Sequence, residues 1–505
     1  MIAQLICACA AGLLCIWGVQ RVCVLASALR ASKRAPPLEP LLPAPVVTVQ
    51  VPLYNEAAVC VRAVDSACAL RWPSLEVQIL DDSTDETTAL VAAAVAGWRA
   101  AGVDVSHIRR SHREGFKAGA LAHGVSVCRG ELIAIFDADF VVPADFLERV
   151  VPRMVVDGAD MAQARWGHLN RDASWLTRAQ AALLDAHFAV EQRGRGAAGA
   201  FFGFNGTAGI WRKQSILDAG GWDAATLTED LDLSLRAWLR GARFLYLDDV
   251  VVPAELPEGI AALRIQQHRW AKGAMQTARA RIVDVLRARQ SLWSRLDVAL
   301  KLTQNFTFVI LFLLVLAIPL AALERAAGAS PFAAIDPFVF ALGGLPAFAS
   351  LLFALWRCGR SLRQAAVDAL LAFGLAVAMS PHAAQAAIAG LLQLGSQTFQ
   401  RTPKDGAHAG PRRAAAKIGL RPIFLLEGAV GALHIGVAMS LAAAGFAWRV
   451  PFLVLCGGAF LHLVGRSLIE AAPSLRVVWD QRGVAALSTA MGRGASDARS
   501  PREPS

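Results

Sequence analysis

Apolar residues along this chain fall into two kinds of run. Long runs occupy the N-terminus (Leu5 to about Leu29) and the second half; short runs lie between them, each ending at a turn or an acidic cluster. Val46 to Val51 runs into Pro52, Val77 to Leu80 into Asp81-Asp82, and Leu132 to Phe136 into Asp137. Short unbroken runs rich in Val, Ile and Leu predict strands buried on both faces. Residues 56–71, between the first two runs, read as a helix. Strands alternating with helices predict an open α/β sheet, and such sheets bind ligands at the carboxyl ends of their strands. The turn after Val51 and both acidic clusters fall there, which points to a nucleotide site.

The long runs predict a membrane domain. Candidate spans are 303–323, 337–356, 423–444 and 450–468, each near the roughly 20 residues that a bilayer core requires. Residues 365–380 and 383–399 are shorter, and Ser380-Pro381 divides them; the second is expected to lie in the membrane interface. From Leu256 to Lys301 the pattern is helical, amphipathic and basic, as in a helix on a membrane surface. The first run has no basic residue before it and Arg30, Lys33 and Arg34 after it. A cleaved signal peptide carries its charges in front, so an anchor with its N-terminus outside is expected, although Ala26-Ser27-Ala28 has the look of a cleavage site. That orientation places the catalytic domain in the cytoplasm of a multi-pass protein of the inner or plasma membrane. The expected organisation is an anchor over 1–34, a proline-rich linker over 35–45, an α/β domain over 46–255, interface helices over 256–301, membrane helices over 302–470, and a tail over 471–505 that ends in disorder.

Composition agrees. With 55% hydrophobic and 18% charged residues in 505, the chain is too apolar for a soluble enzyme and too mixed for a pure helix bundle. The net charge of +10 sits largely beside apolar segments (Arg357, Arg360 and Arg363; Arg401, Lys404, Arg412, Arg413 and Lys417). Charge so placed reports topology; no basic-aromatic module for nucleic acid accompanies it. Nine cysteines include no C-x-x-C pair and no zinc spacing.

The chemistry lies in an ordered series of polar clusters. Tyr54, Asn55 and Glu56 follow the first strand, where an aromatic and an amide can face a nucleobase. In Asp81-Asp82-Ser83-Thr84-Asp85, Asp81 or Asp82 can contact base or ribose while Ser83 or Thr84 caps a helix. Asp137 and Asp139, at the end of a buried strand, would repel each other without a counter-cation; a magnesium or manganese ion shared with a diphosphate resolves this. Lys117, in His112 to Gly119, is offered to phosphates just before a helix. Asp230, in Thr228-Glu229-Asp230, either caps the helix 231–239 or serves as a general base. Gln266, Arg269 and Trp270 stand at i, i+3 and i+4, on one helix face. An indole packs against a pyranose ring, while Gln and Arg bond hydroxyls or phosphate.

With these residues assembled, the chain resembles membrane-bound family 2 glycosyltransferases of the cellulose-synthase superfamily, through the pattern D, DxD, TED, QxxRW. Its wording is nearest to the cellulose-synthase-like A and C groups, which make mannan or glucomannan and β-glucan. The likeness is carried by Gln163 to Trp166, Asp185 to Gln192, Phe201 to Gly209, Phe244 to Asp249 and Glu255 to Trp270, with an echo at Phe399 to Lys404. It implies a glycosyltransferase A-type domain inserted between transmembrane helices. The chain lacks the large insertions of plant cellulose synthases and the C-terminal regulatory domain of many bacterial ones, so a simpler glycan than cellulose is expected.

The resemblance further implies a mechanism. Tyr54, Glu56, Asp81, Asp82, Lys117 and Asp137 would hold the donor nucleotide, and Asp137 and Asp139 the metal. Asp230 would deprotonate the acceptor. Asn205, Gly206, Thr207, Glu229, Gln266, Arg269 and Trp270 would contact acceptor or diphosphate. The expected activity is inverting, processive polymerisation of a β-glycan from GDP-mannose or UDP-glucose, with passage across the membrane. The alternatives are single transfer to a lipid such as diacylglycerol or ceramide and, from another class, a non-catalytic membrane scaffold or transporter. The latter predicts eroded acidic motifs and ionisable residues within the spans; the motifs here are intact and the spans nearly free of charge.

Overall fold

The computed structural model describes residues 1–31, 41, 43–328, 340–395, 422–446 and 450–471. Seven strands form one sheet: β1 (Val47–Leu53), β2 (Leu75–Asp81), β3 (Val105–Arg109), β4 (Leu132–Ile135), β5 (Met161–His168), β6 (Gly209–Arg212) and β7 (Phe244–Ala254), in the order β3-β2-β1-β4-β6-β5-β7. Strands β1 to β4 are mutually parallel and β6 is antiparallel to both its neighbours. The chain moves from β1 outward to β2 and β3, then returns to the other side of β1 as β4. That reversal opens a crevice at the carboxyl ends of β1 and β4. Register brings the polar ends together: Leu53 pairs with Asp81, and Gln50 with Ile135, two residues before Asp137.

All three sequence-expected strands are present: the first runs on to Leu53, the second takes in Leu75, Glu76 and Asp81 as well, and the third ends one residue early, at Ile135. Two pairs of buried polar side chains within them bond sideways. Thr48 donates to Glu76 (2.5 Å) and Gln50 to Gln78 (3.0 Å), tying β1 to β2 inside the apolar core.

Among the described residues, five helices are long and apolar enough to cross a membrane: Ile2–Arg30, Gln304–Ala326, Leu362–Leu391, Ile423–Ala443 and Val450–Ala471; a shorter apolar helix covers Ala341–Arg357. The division expected at Ser380-Pro381 is absent, and Leu362–Leu391 is one helix of 30 residues with the proline inside it. Proline removes the N–H that would reach the carbonyl four residues back, here that of Val377. The Ser380 hydroxyl donates to that same carbonyl at 2.7 Å, so the break is repaired from within. The helix is held on the far side of the proline too, where His382 Nε2 lies 3.0 Å from the Arg264 carbonyl and Gly390 meets the backbone of Lys272. The Arg401 to Lys404 segment and the tail lie outside the described residues.

Ser380→Ala is expected to leave the Val377 carbonyl unsatisfied and to lower stability by about 1–2 kcal/mol, read as the unfolding midpoint in detergent. Adding Pro381→Ala should restore it, because the new N–H replaces the lost hydroxyl; a double variant no better than the single one would contradict this account.

Candidate active site

The pocket lies over the β1–β4 crevice. At its β1 side the chain turns through Asn55 with φ of 53°, a left-handed conformation that Asn tolerates better than most residues. The Asn55 N–H donates to Ser83 Oγ (2.9 Å) and the Thr84 N–H to Asn55 Oδ1 (2.8 Å), fastening the ends of β1 and β2 together. Tyr54 and Glu56 thereby line the pocket. The guanidinium carbon of Arg113 lies 3.4 Å from the centroid of the Tyr54 ring.

The two aspartates after β2 part company. Asp82 lines the pocket, with Arg110 holding both its oxygens (3.0 and 2.5 Å). Asp81 is buried and does not line the pocket; it accepts from the Ser83 N–H (2.8 Å) and bonds to His107 Nε2 (2.9 Å). Burial opposes the Asp81 charge, yet the hydrogen bonds from His107 and Ser83 bring its pKa down to about 2.

Lys117 is placed by the start of helix Phe116–Val127, after a turn through Gly115 at φ of 69°. Its Nζ donates to Asp137 Oδ1 (2.5 Å) and to the Gly206 carbonyl (2.9 Å). Desolvation works against the ammonium, but Asp137, Glu229 and Asp230 together raise its pKa. The Asp137 N–H donates to Thr207 Oγ1 (2.9 Å), and Thr207, fully buried, does not itself line the pocket. Asn205 and Gly206 do. Asn205 is gripped by Gln163 Oε1 (2.9 Å), Gln192 (2.5 Å) and His187 (2.8 Å), the last two from the π-helical turn His187–Gln192.

Asp230 opens helix Glu229–Leu239. At Gly206, whose φ is 79°, a Cβ would fall 2.8 Å from Asp230 Oδ2, so the loop approaches the carboxylate as only glycine can. Removal from water and the neighbouring Glu229 charge raise the Asp230 pKa to about 7, against the opposing pull of Lys117 and Arg269. Helix Ile260–Arg287 brings Gln266, Arg269 and Trp270 to the same pocket. It is set against the Asp230 loop by Gly273, where a Cβ would lie 2.7 Å from Thr228 Cγ2, and by Gln276, which accepts the Leu227 N–H at 3.1 Å.

The donor set bears on a metal. Asp137 and Asp139 line the pocket, and among the described residues no group of three His, Cys, Asp or Glu could hold an ion. Two carboxylates suit a hard divalent ion whose remaining sites are filled by a substrate's phosphates. Arg113, Trp166, His168 and Glu255 also line the pocket, though motif reading did not single them out as site residues. Arg113 stood in a basic run before a helix, and Trp166 and Glu255 in segments carrying the family likeness; nothing in the sequence marked His168.

Residues 43–273 match the family described as "Glycosyltransferase like family 2". Glucomannan 4-beta-mannosyltransferase 1 of Oryza sativa subsp. japonica is 43% identical over 263 residues, 50% of each chain. Glucomannan 4-beta-mannosyltransferase 2 of Arabidopsis thaliana is 44% identical over 262 residues, 50% of this chain and 49% of its own. The chain thus spans about half the length of these curated relatives. Among solved structures, the mannosyltransferase PcManGT from Pyrobaculum calidifontis, in complex with GDP-Man and Mn2+, aligns over 77% of this chain and 99% of its own, with a TM-score of 0.52 and 20% identity. That likeness is one of fold, and it accords with the expected α/β class.

Glu229→Gln should lower the Asp230 pKa from about 7, because it removes the neighbouring negative charge; Lys117→Met should raise it. Carboxyl infrared titration, with Asp230→Asn identifying the band, checks both directions.

Proposed function

We propose, from the match of residues 43–273 to the family described as "Glycosyltransferase like family 2", that the chain is an inverting β-glycosyltransferase polymerising mannan or glucomannan from GDP-mannose. The names of its relatives at 42–44% identity support the sugar. One observation carries the chemistry: Asp230, a carboxyl with a pKa of about 7, shares a pocket with Asp137, Asp139 and Trp270.

A general base works best with a pKa near the operating pH. Asp230 takes the proton of the acceptor hydroxyl as its oxygen attacks the anomeric carbon, and the nucleoside diphosphate departs from the opposite face. Inversion turns an α-linked donor into a β-linkage. Lys117 and Arg269 offset the charge that develops on the leaving diphosphate. A magnesium or manganese ion held by Asp137 and Asp139 together with the diphosphate would add Lewis-acid charge there. Trp270 offers its ring to the terminal acceptor sugar and Gln266 an amide to its hydroxyls. Asn205, fixed on three sides, is positioned to orient the acceptor. The apolar helices beside the pocket support repeated transfer with passage of the product through the membrane. Nucleotide-sugars are cytoplasmic, and the basic flank at Arg30 supports placing the pocket on that side of an inner or plasma membrane.

Purified membranes supplied with radiolabelled GDP-mannose, UDP-glucose or both are expected to yield a long polymer from GDP-mannose, cleaved by β-mannanase. EDTA should stop incorporation, and Mg²⁺ or Mn²⁺ should restore it. Label found only in solvent-extractable lipid would replace the polymer with single transfer to a lipid.

Asp230→Asn should reduce turnover by about 10²–10⁴-fold while GDP still binds; equal loss of both would contradict the base assignment. The protonated carboxyl is no base, so the wild-type rate should climb as pH rises through about 7. A rate independent of pH across that range would remove Asp230 from the role.

A further inference from the structure

Arg113 is held in the pocket without the engagement that fixes its basic neighbours. Arg110 is taken by Asp82 and two carbonyls, and Lys117 by Asp137 and Gly206. Among the described residues, the Arg113 side chain makes no ion pair or hydrogen bond, and its Nε is buried without a partner. Two aromatic rings hold it instead: Tyr54, 3.4 Å from ring centroid to guanidinium carbon, and Phe116 at 4.9 Å. A guanidinium over an aromatic face is retained by the ring quadrupole, which leaves its N–H edge available to a ligand.

Position says which part of a ligand that edge meets. Arg113 shares its corner of the pocket with Tyr54 and Asp82, beyond the ends of β1 and β2. The phosphate end is marked by Lys117, Asp137 and Asp139, beyond β4. In the donor-binding reading given above, on which this rests, the nucleoside occupies the first corner. An arginine fork needs two adjacent acceptors, and guanine offers O6 and N7 side by side. Uracil has O4 alone on the corresponding edge, with a donor at N3 and a C–H at C5.

We propose that Arg113, lodged on Tyr54, reads the O6/N7 edge of guanine and so selects a guanosine diphosphate donor over a uridine one. The residue is then a specificity determinant separate from the phosphate-binding lysine one helical turn later.

The test uses the full chain in detergent, with GDP, UDP and 7-deaza-GDP as probes in calorimetric titration, and unfolding midpoints to confirm that each variant is folded. Wild type should prefer GDP to both others. Arg113→Ala should weaken GDP by about tenfold or more and UDP by no more than about twofold, in keeping with loss of one bidentate base contact. It should also erase the difference between GDP and 7-deaza-GDP. Arg113→Lys should fail to restore the preference, since an ammonium cannot make the fork. Equal loss for GDP and UDP would assign Arg113 to the diphosphate and overturn the proposal, as would unchanged GDP affinity or a wild-type preference for UDP. Failure of wild type to bind any of the three would sink the donor reading itself.

Discussion

The pocket depends on the ammonium of Lys117. Parallel strands oblige the acidic clusters to converge, because β1, β2 and β4 all end at one edge. Without a cation, Asp137, Glu229 and Asp230 would repel one another in a partly dry space, where charges act more strongly than in water. Lys117 touches Asp137 and the Gly206 carbonyl and lies within electrostatic reach of the other two. It therefore offsets part of the negative charge that the three carboxylates bring together. Its placement is itself a backbone matter. Gly115 turns left-handed so that the helix can begin at Phe116, and Gly119 has no side chain to obstruct the Glu114 carbonyl folding back above it.

Most of the site was legible in the sequence because its chemistry sits where apolar runs stop. Asp82, Asp137, Asp139 and Lys117 are named by their positions at strand and helix ends, and Gln266, Arg269 and Trp270 by helical spacing; all line one pocket. Asp81 was harder, since two adjacent aspartates at a strand end look alike in sequence. Strand alternation sends one into the sheet, where His107 on neighbouring β3 meets it. Arg113 was obscured for a similar reason: a basic run shows charge but not that Asp82 is already taken by Arg110. Pro381 misled because the rule against proline in helices assumes an orphaned carbonyl, and Ser380 supplies the missing bond locally.

Sheet domain and membrane helices are joined by polar groups that neither could bury alone. Asn205, on the pocket wall, bonds to His187, which faces Glu191, and Glu191 is bound by Lys301 from helix Leu292–Leu302 (2.5 Å). Burial opposes the Glu191 charge, yet Lys301 and His187 hold its pKa well below the usual carboxylate range. Arg195 continues the chain to Asp297, whose carbonyl and carboxylate accept from Gln20 of the N-terminal helix. A charged ligature of this kind fixes geometry more than it adds stability, because desolvation offsets most of its attraction.

Helix Ile260–Arg287 is bare of side chain where it meets the Asp230 loop, and helix Leu362–Leu391 is bare where it meets that same helix, at Gly273 and Gly390 respectively. At these two points the segments approach so closely that a single added methyl group would collide with the neighbour, which leaves little room to absorb error. Parts so fitted cannot be exchanged piecemeal. A chimera that grafts the sheet of one such protein onto the membrane helices of another must carry both glycine contacts with it, so the helix bearing Trp270 is inherited as a gauge block that sets the separation between the apolar helices and Asp230.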